Sequence, residues 1–208
     1  MRLIFRTLSY RNYRLFFIGY GVSMIGSWMQ QIAMSWLVYR LTNSALLLGI
    51  IAFAGLFPGF LLTPLAGVLS DRWNRSHIIL VAQVLEMLQA LVLAILIITD
   101  MIAVWQIILL SVLLGLVIAF EVPARQSFIV YIIDKREDLG SAIALNSAMF
   151  NGARLIGPSI AGVTIALAGE ATCFFLNALS YLALISMLML MKLKPMPLGD
   201  GNADILEG

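Results

Sequence analysis

The chain has 208 residues, of which 62% are hydrophobic and 12% charged, and its mean hydropathy is +0.99. A water-soluble domain carries about a quarter of its residues as Asp, Glu, Lys and Arg, so this composition excludes an ordinary soluble protein. The net charge of +2 is too small to indicate a nucleic-acid partner, and no base-reading motif occurs. The few charges cluster between long apolar stretches, which marks those clusters as loops.

Six apolar runs are long enough to cross a bilayer. A helix needs about 20 apolar residues to span the hydrocarbon layer. We therefore predict transmembrane helices over six approximate segments: Leu15–Tyr39, Ala45–Leu69, His77–Thr99, Met101–Phe120, Gly140–Ala168 and Thr172–Met191. The first run is too long for a signal peptide and Arg40 follows it without a small-residue cleavage site, so we expect it to remain.

The basic residues fall almost entirely on one side of these six spans. Lys and Arg are retained on the cytoplasmic face of a membrane, so that side is predicted to be the cytoplasm and both termini lie there. Only Arg40 falls on the other side, and Arg154 lies within the fifth span. The cytoplasmic set is Arg2, Arg6, Arg11, Arg14, Arg72, Arg75, Arg125, Lys135, Arg136, Lys192 and Lys194.

The loop between the second and third predicted spans carries the most specific motif, in which Asp71-Arg72 follows Gly67 and Arg75 closes the loop. It resembles the signature loop of the major facilitator superfamily, although Ser76 stands where that pattern has a second basic residue. Gly67 would let a neighbouring helix approach closely, and Asp71 could accept hydrogen bonds from basic groups or a helix N-terminus. The alternative is a positive-inside loop with an incidental acid.

Further blocks narrow the resemblance to one branch of that superfamily. They run from Gly26 to Gln31, from Phe120 to Phe128 and from Phe150 to Gly162. Together they resemble the enterobactin-exporter and macrolide-efflux-like branch, the transmembrane secretion effectors. By this resemblance Glu121 and Arg125 join the signature-loop residues as gating candidates. Gly157, Pro158 and Gly162 resemble a helix-packing motif of exporters, which favours export over uptake.

The resemblance implies an all-α polytopic fold in the bacterial inner membrane. Six transmembrane helices would form two inverted three-helix repeats, which are half of a twelve-helix major facilitator fold. Pro64 and Pro158, each soon followed by Ala-Gly, give weak support for the repeat. Residues 1–192 would form the N-terminal bundle. The polar, turn-rich residues 193–208 would begin a central cytoplasmic linker that we expect to be disordered.

Polar and ionisable residues within the spans are candidate coupling or cavity residues, because a charge in hydrocarbon is costly. Glu86, flanked by Gln83 and Gln89, is either a proton-coupling carboxylate or a hydrogen-bonded packing residue. Arg154 is either a charge at the cavity or a gate, or a member of a structural ion pair. The first span adds polar residues that face substrate or bind other helices. Ser23, Ser27, Gln30 and Ser35 recur at helical spacing, and Gln31 flanks that stripe.

These features predict half of a secondary transporter that exports small organic molecules by alternating access, with protons as the coupling ion. Its expected partners are substrate, the lipid bilayer and either a C-terminal six-helix half or a second copy. The alternatives are a non-transporting six-helix scaffold and a half-transporter active only as a dimer. An intramembrane serine protease is disfavoured because His77 lies at the membrane boundary and Gly21-Val22-Ser23 lacks the following Gly. We predict no enzymatic activity, cofactor or metal.

Overall fold

The computed structural model describes residues 6–133 and 135–193, apart from the side chains of Pro64 and of residues 68–72. The described residues are all-α, as predicted, and contain no strand. A short 3-10 helix, Arg136–Asp138, connects the fourth and fifth of six long helices. These helices are α1 (Arg11–Thr42), α2 (Ala45–Arg72), α3 (Arg75–Ile98), α4 (Val104–Tyr131), α5 (Leu139–Ala168) and α6 (Glu170–Leu190). Most of the predicted linker, from residue 194 onward, lies outside the described residues.

Four of these helices are long and apolar enough to cross a membrane: Ala45–Thr63 within α2, and the whole of α3, α4 and α6. Among the described residues, α1 and α5 contain no stretch of that length and apolarity. Both carry more polar residues within the span, such as Gln30 and Gln31 in α1 and Asn151 and Arg154 in α5. The transmembrane placement of α1 and α5 therefore stays a prediction.

Short local signals set the helix ends. At the start of α2 the Ser44 Oγ accepts a hydrogen bond from the backbone N–H of Leu47, at 3.3 Å. At the start of α3 the Asn74 Oδ1 accepts from the N–H of Ser76, at 3.1 Å. The α1 helix ends at Asn43, whose φ of 49° is left-handed, and Gly169 with a φ of 80° separates α5 from α6.

The prediction that the fourth helix ends at Phe120 is wrong, because α4 continues through Pro123 to Tyr131. The predicted boundary places Glu121 and Arg125 outside the fourth span. They instead neutralise each other across one helical turn, with Arg125 Nε donating to Glu121 Oε1 at 2.8 Å. The Glu121 side chain is buried, with 7% exposed, and the Arg125 side chain is partly buried, with 13% exposed. A charged pair at i,i+4 therefore extended the helix rather than ending it.

The helices pack in pairs that leave a cavity between them. The α1 helix packs on α5 and α6, α4 packs on α2 and α3, and α3 packs on α6. One apolar cluster, around Phe16 and Phe128, fills the end of the bundle where α1 begins. Another, around Leu37 and Phe174, fills the opposite end. Polar side chains lie between these two clusters, which is where the candidate site is found.

Candidate functional site

A cavity of about 470 Å³ lies between α1, α2, α3, α4 and α6, with Phe150 contributed by α5. One face of α1 supplies its longest polar wall. The residues of that wall recur at helical spacing, so they point the same way from the helix. They are Ser23, Ser27, Gln30, Gln31 and Ser35. The polar candidate residues that we named in the first span therefore all border the cavity.

Three ionisable side chains line the same cavity: Glu86 of α3, and Glu121 and Arg125 of α4. The Arg125 guanidinium is held between its ion pair with Glu121 and the ring of Tyr20, whose centre is 4.7 Å away. No described cation forms an ion pair with Glu86, whose Oε2 accepts a hydrogen bond from Gln83 Nε2 at 2.9 Å. The two carboxylates are therefore in different environments, one paired with a guanidinium and the other held by an amide.

Hydrogen bonds tie the polar wall of α1 to α3. Ser23 Oγ donates to Gln83 Oε1 at 3.1 Å, which links α1 to the amide that holds Glu86. Farther along, Gln30 Nε2 donates to Gln89 Oε1 at 3.0 Å. Gln83, Glu86 and Gln89 are all buried, as expected for a polar stripe on one face of α3. The Nε2 of Gln89 is buried without a partner among the described residues.

The α6 helix adds polar partners that we did not predict from the sequence. Asn177 is fully buried and donates from Nδ2 to Gln30 Oε1 at 2.8 Å. The Tyr181 hydroxyl lies 3.2 Å from the hydroxyl of Ser27. Asn177 and Tyr181 are four residues apart in an otherwise apolar run, so they share one face of α6. That spacing was the available signal, and it was overlooked because the run was treated only as a membrane span.

Arg154 does not border the cavity, although it was a candidate cavity residue. Its side chain is exposed, and its guanidinium lies 5.5 Å from the centre of the Trp28 ring. Among the described residues no carboxylate forms an ion pair with it. Trp28 does line the cavity and packs edge-on against Phe150 at 5.6 Å. Arg154 thus lies on the far side of Trp28 from the cavity.

The candidate helix-packing motif contains one close approach. A Cβ atom added at Gly157 would lie 2.6 Å from Trp28 Cβ and 2.8 Å from the carbonyl oxygen of Ile25, so only glycine fits there against α1. The α5 helix runs on without a break through Pro158. No described atom lies within 4 Å of a Cβ added at Gly162 or Gly67. Those two glycines therefore do not contact another described helix closely.

The signature loop lies mostly outside what can be described in atomic detail. Its backbone continues α2 as far as Arg72, but the side chains of Asp71 and Arg72 lie outside the described residues. Arg75 is the first residue of α3. The Ser76 hydroxyl donates to Asn74 Oδ1 at 2.7 Å. Ser76, which departs from the family pattern, therefore takes part in capping α3.

Residues 4–198 match the family described as transmembrane secretion effector. The chain is 30% identical over 169 residues to the staphyloferrin A transporter of Staphylococcus aureus, covering 81% of this chain and 42% of that protein. It is 25% identical over 173 residues to the multidrug efflux pump Tap of Mycolicibacterium fortuitum, again covering 81% of this chain and 42% of that protein.

The chain thus spans about two-fifths of the length of these curated relatives. No solved structure matches it significantly. The match over nearly all of the chain and the apolar helices agree in indicating a membrane protein from a family of transporters. The chain belongs to the transmembrane secretion effectors of the major facilitator superfamily.

Proposed function

We propose that this chain is one half of a secondary active transporter, which exports small organic molecules in exchange for protons by alternating access. The observation that carries the proposal is the cavity, where polar and ionisable groups line a space within an otherwise apolar bundle. Such groups are costly at membrane depth and persist where they serve transport or bind one another. The printed names of the two relatives, a staphyloferrin A transporter and a multidrug efflux pump, support a small organic substrate.

The pattern of helix packing supports two inverted three-helix repeats. If α1, α2 and α3 correspond to α4, α5 and α6, the packing of α1 on α5 and α6 corresponds to that of α4 on α2 and α3. The contact between α3 and α6 is unchanged when the two repeats are exchanged. A pseudo-two-fold axis produces this exchange of contacts, and inverted repeats of this kind occur in transporter halves. Their shared interface is also where substrate binds in such transporters.

Glu86 is the better candidate for the proton-coupling carboxylate. Glu121 is already paired with Arg125, and taking up a proton there would leave a partly buried guanidinium without its counter-ion. Glu86 is held by the amide of Gln83, and losing its charge would leave no cation unpaired. We therefore assign proton exchange to Glu86, and a structural or gating role to the Glu121–Arg125 pair.

The test is energy-dependent transport of a panel of fluorescent dyes in cells and in inverted vesicles, with this chain co-expressed with a matching C-terminal six-helix half. We expect Glu86→Gln to abolish the dependence on the proton gradient while the amount of protein in the membrane stays the same. Glu137→Gln is the matched control, since Glu137 is an acid whose side chain is 80% exposed outside the cavity. Proton-driven transport that persists in Glu86→Gln at the wild-type level would remove Glu86 from this role.

A scaffold without transport and a half-transporter active only as a dimer are the competing proposals. Alternating access requires one half to rock against another around a shared site, so the isolated chain should show no flux when reconstituted as a monomer. Co-expression with a matching C-terminal six-helix half should restore flux. Flux from a cross-linked homodimer alone would favour the dimer, and no flux in any combination would favour the scaffold.

A further inference from the structure

A second pocket, of about 510 Å³, lies at the end of the bundle where α1 begins and where α4 and α6 end. It shares no lining residue with the central cavity. Arg11 and Asn12 line it from α1, Ile132 and Ile133 from the segment just after α4, and Lys192 and Leu193 from the segment after α6. The pocket therefore lies at the boundary between the apolar helices and the polar chain ends.

The charged side chains among the described residues of this pocket are both cations. Arg11 and Lys192 are both exposed, and no described acidic residue lines the pocket. Arg11 Nη2 donates to the carbonyl oxygen of Leu190 at 2.9 Å, so its described partner is neutral. No described carboxylate forms an ion pair with either cation. Two positive charges thus face the same space without a described counter-ion.

The pocket is held in shape by a pair of backbone contacts. Asn12 Nδ2 donates to the carbonyl oxygen of Lys192 at 2.9 Å, and the N–H of Lys192 donates back to Asn12 Oδ1 at 3.2 Å. These bonds fix the segment after α6 against the start of α1. The side chains of Ile132 and Ile133 are buried beside it, with 6% and 7% exposed, and provide an apolar wall.

We propose that this pocket binds the headgroup of an anionic phospholipid. The phosphate would contact Arg11 and Lys192, while the glycerol and the first acyl carbons would lie along Ile132, Ile133 and Leu193. A basic pocket between the ends of membrane helices fits an anionic headgroup in charge and in depth. The apolar wall favours a lipid over a free soluble anion, which would gain nothing from three aliphatic side chains. This proposal does not depend on the proposed transport activity.

Native mass spectrometry of the protein purified in neutral detergent tests the proposal, with phosphatidylglycerol and phosphatidylcholine added separately. We expect one phosphatidylglycerol to bind more tightly than phosphatidylcholine. Lys192→Gln should weaken that binding by about fivefold, and the double variant Arg11→Gln/Lys192→Gln should weaken it further by a similar factor. Lys192→Arg should bind as the wild type does, because it keeps the charge and the same backbone bonds.

The charge-matched control is Lys135→Gln/Arg136→Gln, which removes two exposed cations from the connection between α4 and α5 but none from the pocket. It should leave the lipid affinity unchanged. The pocket would be ruled out as the site if the two lipids bound equally well. It would also be ruled out if this control lost as much affinity for phosphatidylglycerol as Arg11→Gln/Lys192→Gln does. Displacement of phosphatidylglycerol by millimolar inorganic phosphate would overturn the lipid assignment in favour of a soluble anion.

Discussion

The neighbouring helices α1 and α2 distribute their polar and apolar side chains in opposite ways. Ser23 and Gln30 of α1 are buried, with 2% and 5% exposed, whereas Leu46 and Phe60 of α2 are 74% and 82% exposed. In water this arrangement would be unstable on both counts. In hydrocarbon an exposed Phe costs nothing, and a polar group must find a partner inside the bundle. The contrast shows that these polar side chains of α1 find their partners inside the bundle, while the outer apolar face of α2 is left for lipid or another protein.

The two helices also differ in how firmly they are held. At one end of α1, Arg40 pairs with Glu170 at the start of α6. Just before its other end, Arg6 and Tyr10 both bind Asp138 at the start of α5. Among the described contacts, α2 packs mainly on α4, and only 11% of its apolar span is buried. The α1 helix therefore organises the bundle, and α2 keeps a broad apolar face for lipid or the proposed second half.

The largest difference between α1 and α2 should appear in the free energy of unfolding when a glycine of each helix is replaced by leucine. A Cβ atom at Gly26 of α1 would collide with Asn177 Oδ1 and Ser180 Oγ, whereas nothing lies within 4 Å of a Cβ at Gly59 of α2 in the described structure. We expect Gly26→Leu to reduce the free energy of unfolding by about 3 kcal/mol or more, because overpacking also breaks the Asn177 contacts. Gly59→Leu should lie within about 0.5 kcal/mol of the wild type.

Unfolding of the purified protein by dodecyl sulfate in mixed micelles measures both variants. If Gly59→Leu reduced the free energy of unfolding as much as Gly26→Leu does, α2 would be packed as tightly as α1. The contrast between the two helices would then be wrong.

The next largest effect on stability concerns Gln30 and Gln31, two adjacent residues that both line the cavity. Gln30 binds Gln89 and Asn177, while no described hydrogen bond involves the Gln31 side chain, which is exposed. Gln30→Leu should cost about 1–2 kcal/mol, since interhelical hydrogen bonds in membranes contribute about 0.6 kcal/mol each and two buried amides lose a partner. Gln31→Leu should cost less than about 0.5 kcal/mol.

The same mixed-micelle unfolding assay compares the two glutamine variants. Equal stability of both would indicate that the amide network contributes little to the contact between α1, α3 and α6. It would then favour a purely substrate-facing role for Gln30.

Much of this fold is predictable from the sequence because long apolar runs have few alternatives in a membrane. All six predicted spans coincide with helices, although α1 and α5 carry too many polar residues to qualify by apolarity alone. The error at the end of α4 has a physical cause. A charge in a membrane protein usually marks a loop, but Glu121 and Arg125 compensate each other inside the helix. Sequence position alone does not distinguish these two situations.

The candidate site was only partly predictable, because a single sequence shows which residues share a face but not which helices are neighbours. Helical spacing was enough to place Ser23, Ser27, Gln30 and Gln31 on one face of α1. The partnership of Gln30 with Asn177 depends on α1 packing against α6, five helices later in the chain. The surroundings of Arg154 depend on the same missing information, since its guanidinium lies over the Trp28 ring and it does not line the cavity.

The smallest expected effect on stability depends on pH and concerns the contacts of Arg6 and Tyr10 with Asp138. The Arg6 guanidinium, and then the Tyr10 hydroxyl, hold the pKa of the Asp138 carboxyl below its ordinary value of 3.8 by hydrogen bonding to its charged form. Because the folded pKa lies below the unfolded one, the stabilisation is complete above about pH 4 and is lost as the pH falls through the folded pKa. Asp138→Asn should therefore be less stable than the wild type at pH 7, and this difference should shrink as the pH is lowered below about 4. Arg6 is 42% exposed, so water screens the pair and the effect should be modest.

Glu137→Gln is the control, because Glu137 is 80% exposed and lies 3.4 Å from the same guanidinium. Unfolding measured from pH 7 to pH 3 should show little change for that control. A difference between wild type and Asp138→Asn that stayed constant over this range would mean that Asp138 acts through its shape and hydrogen bonds rather than its charge.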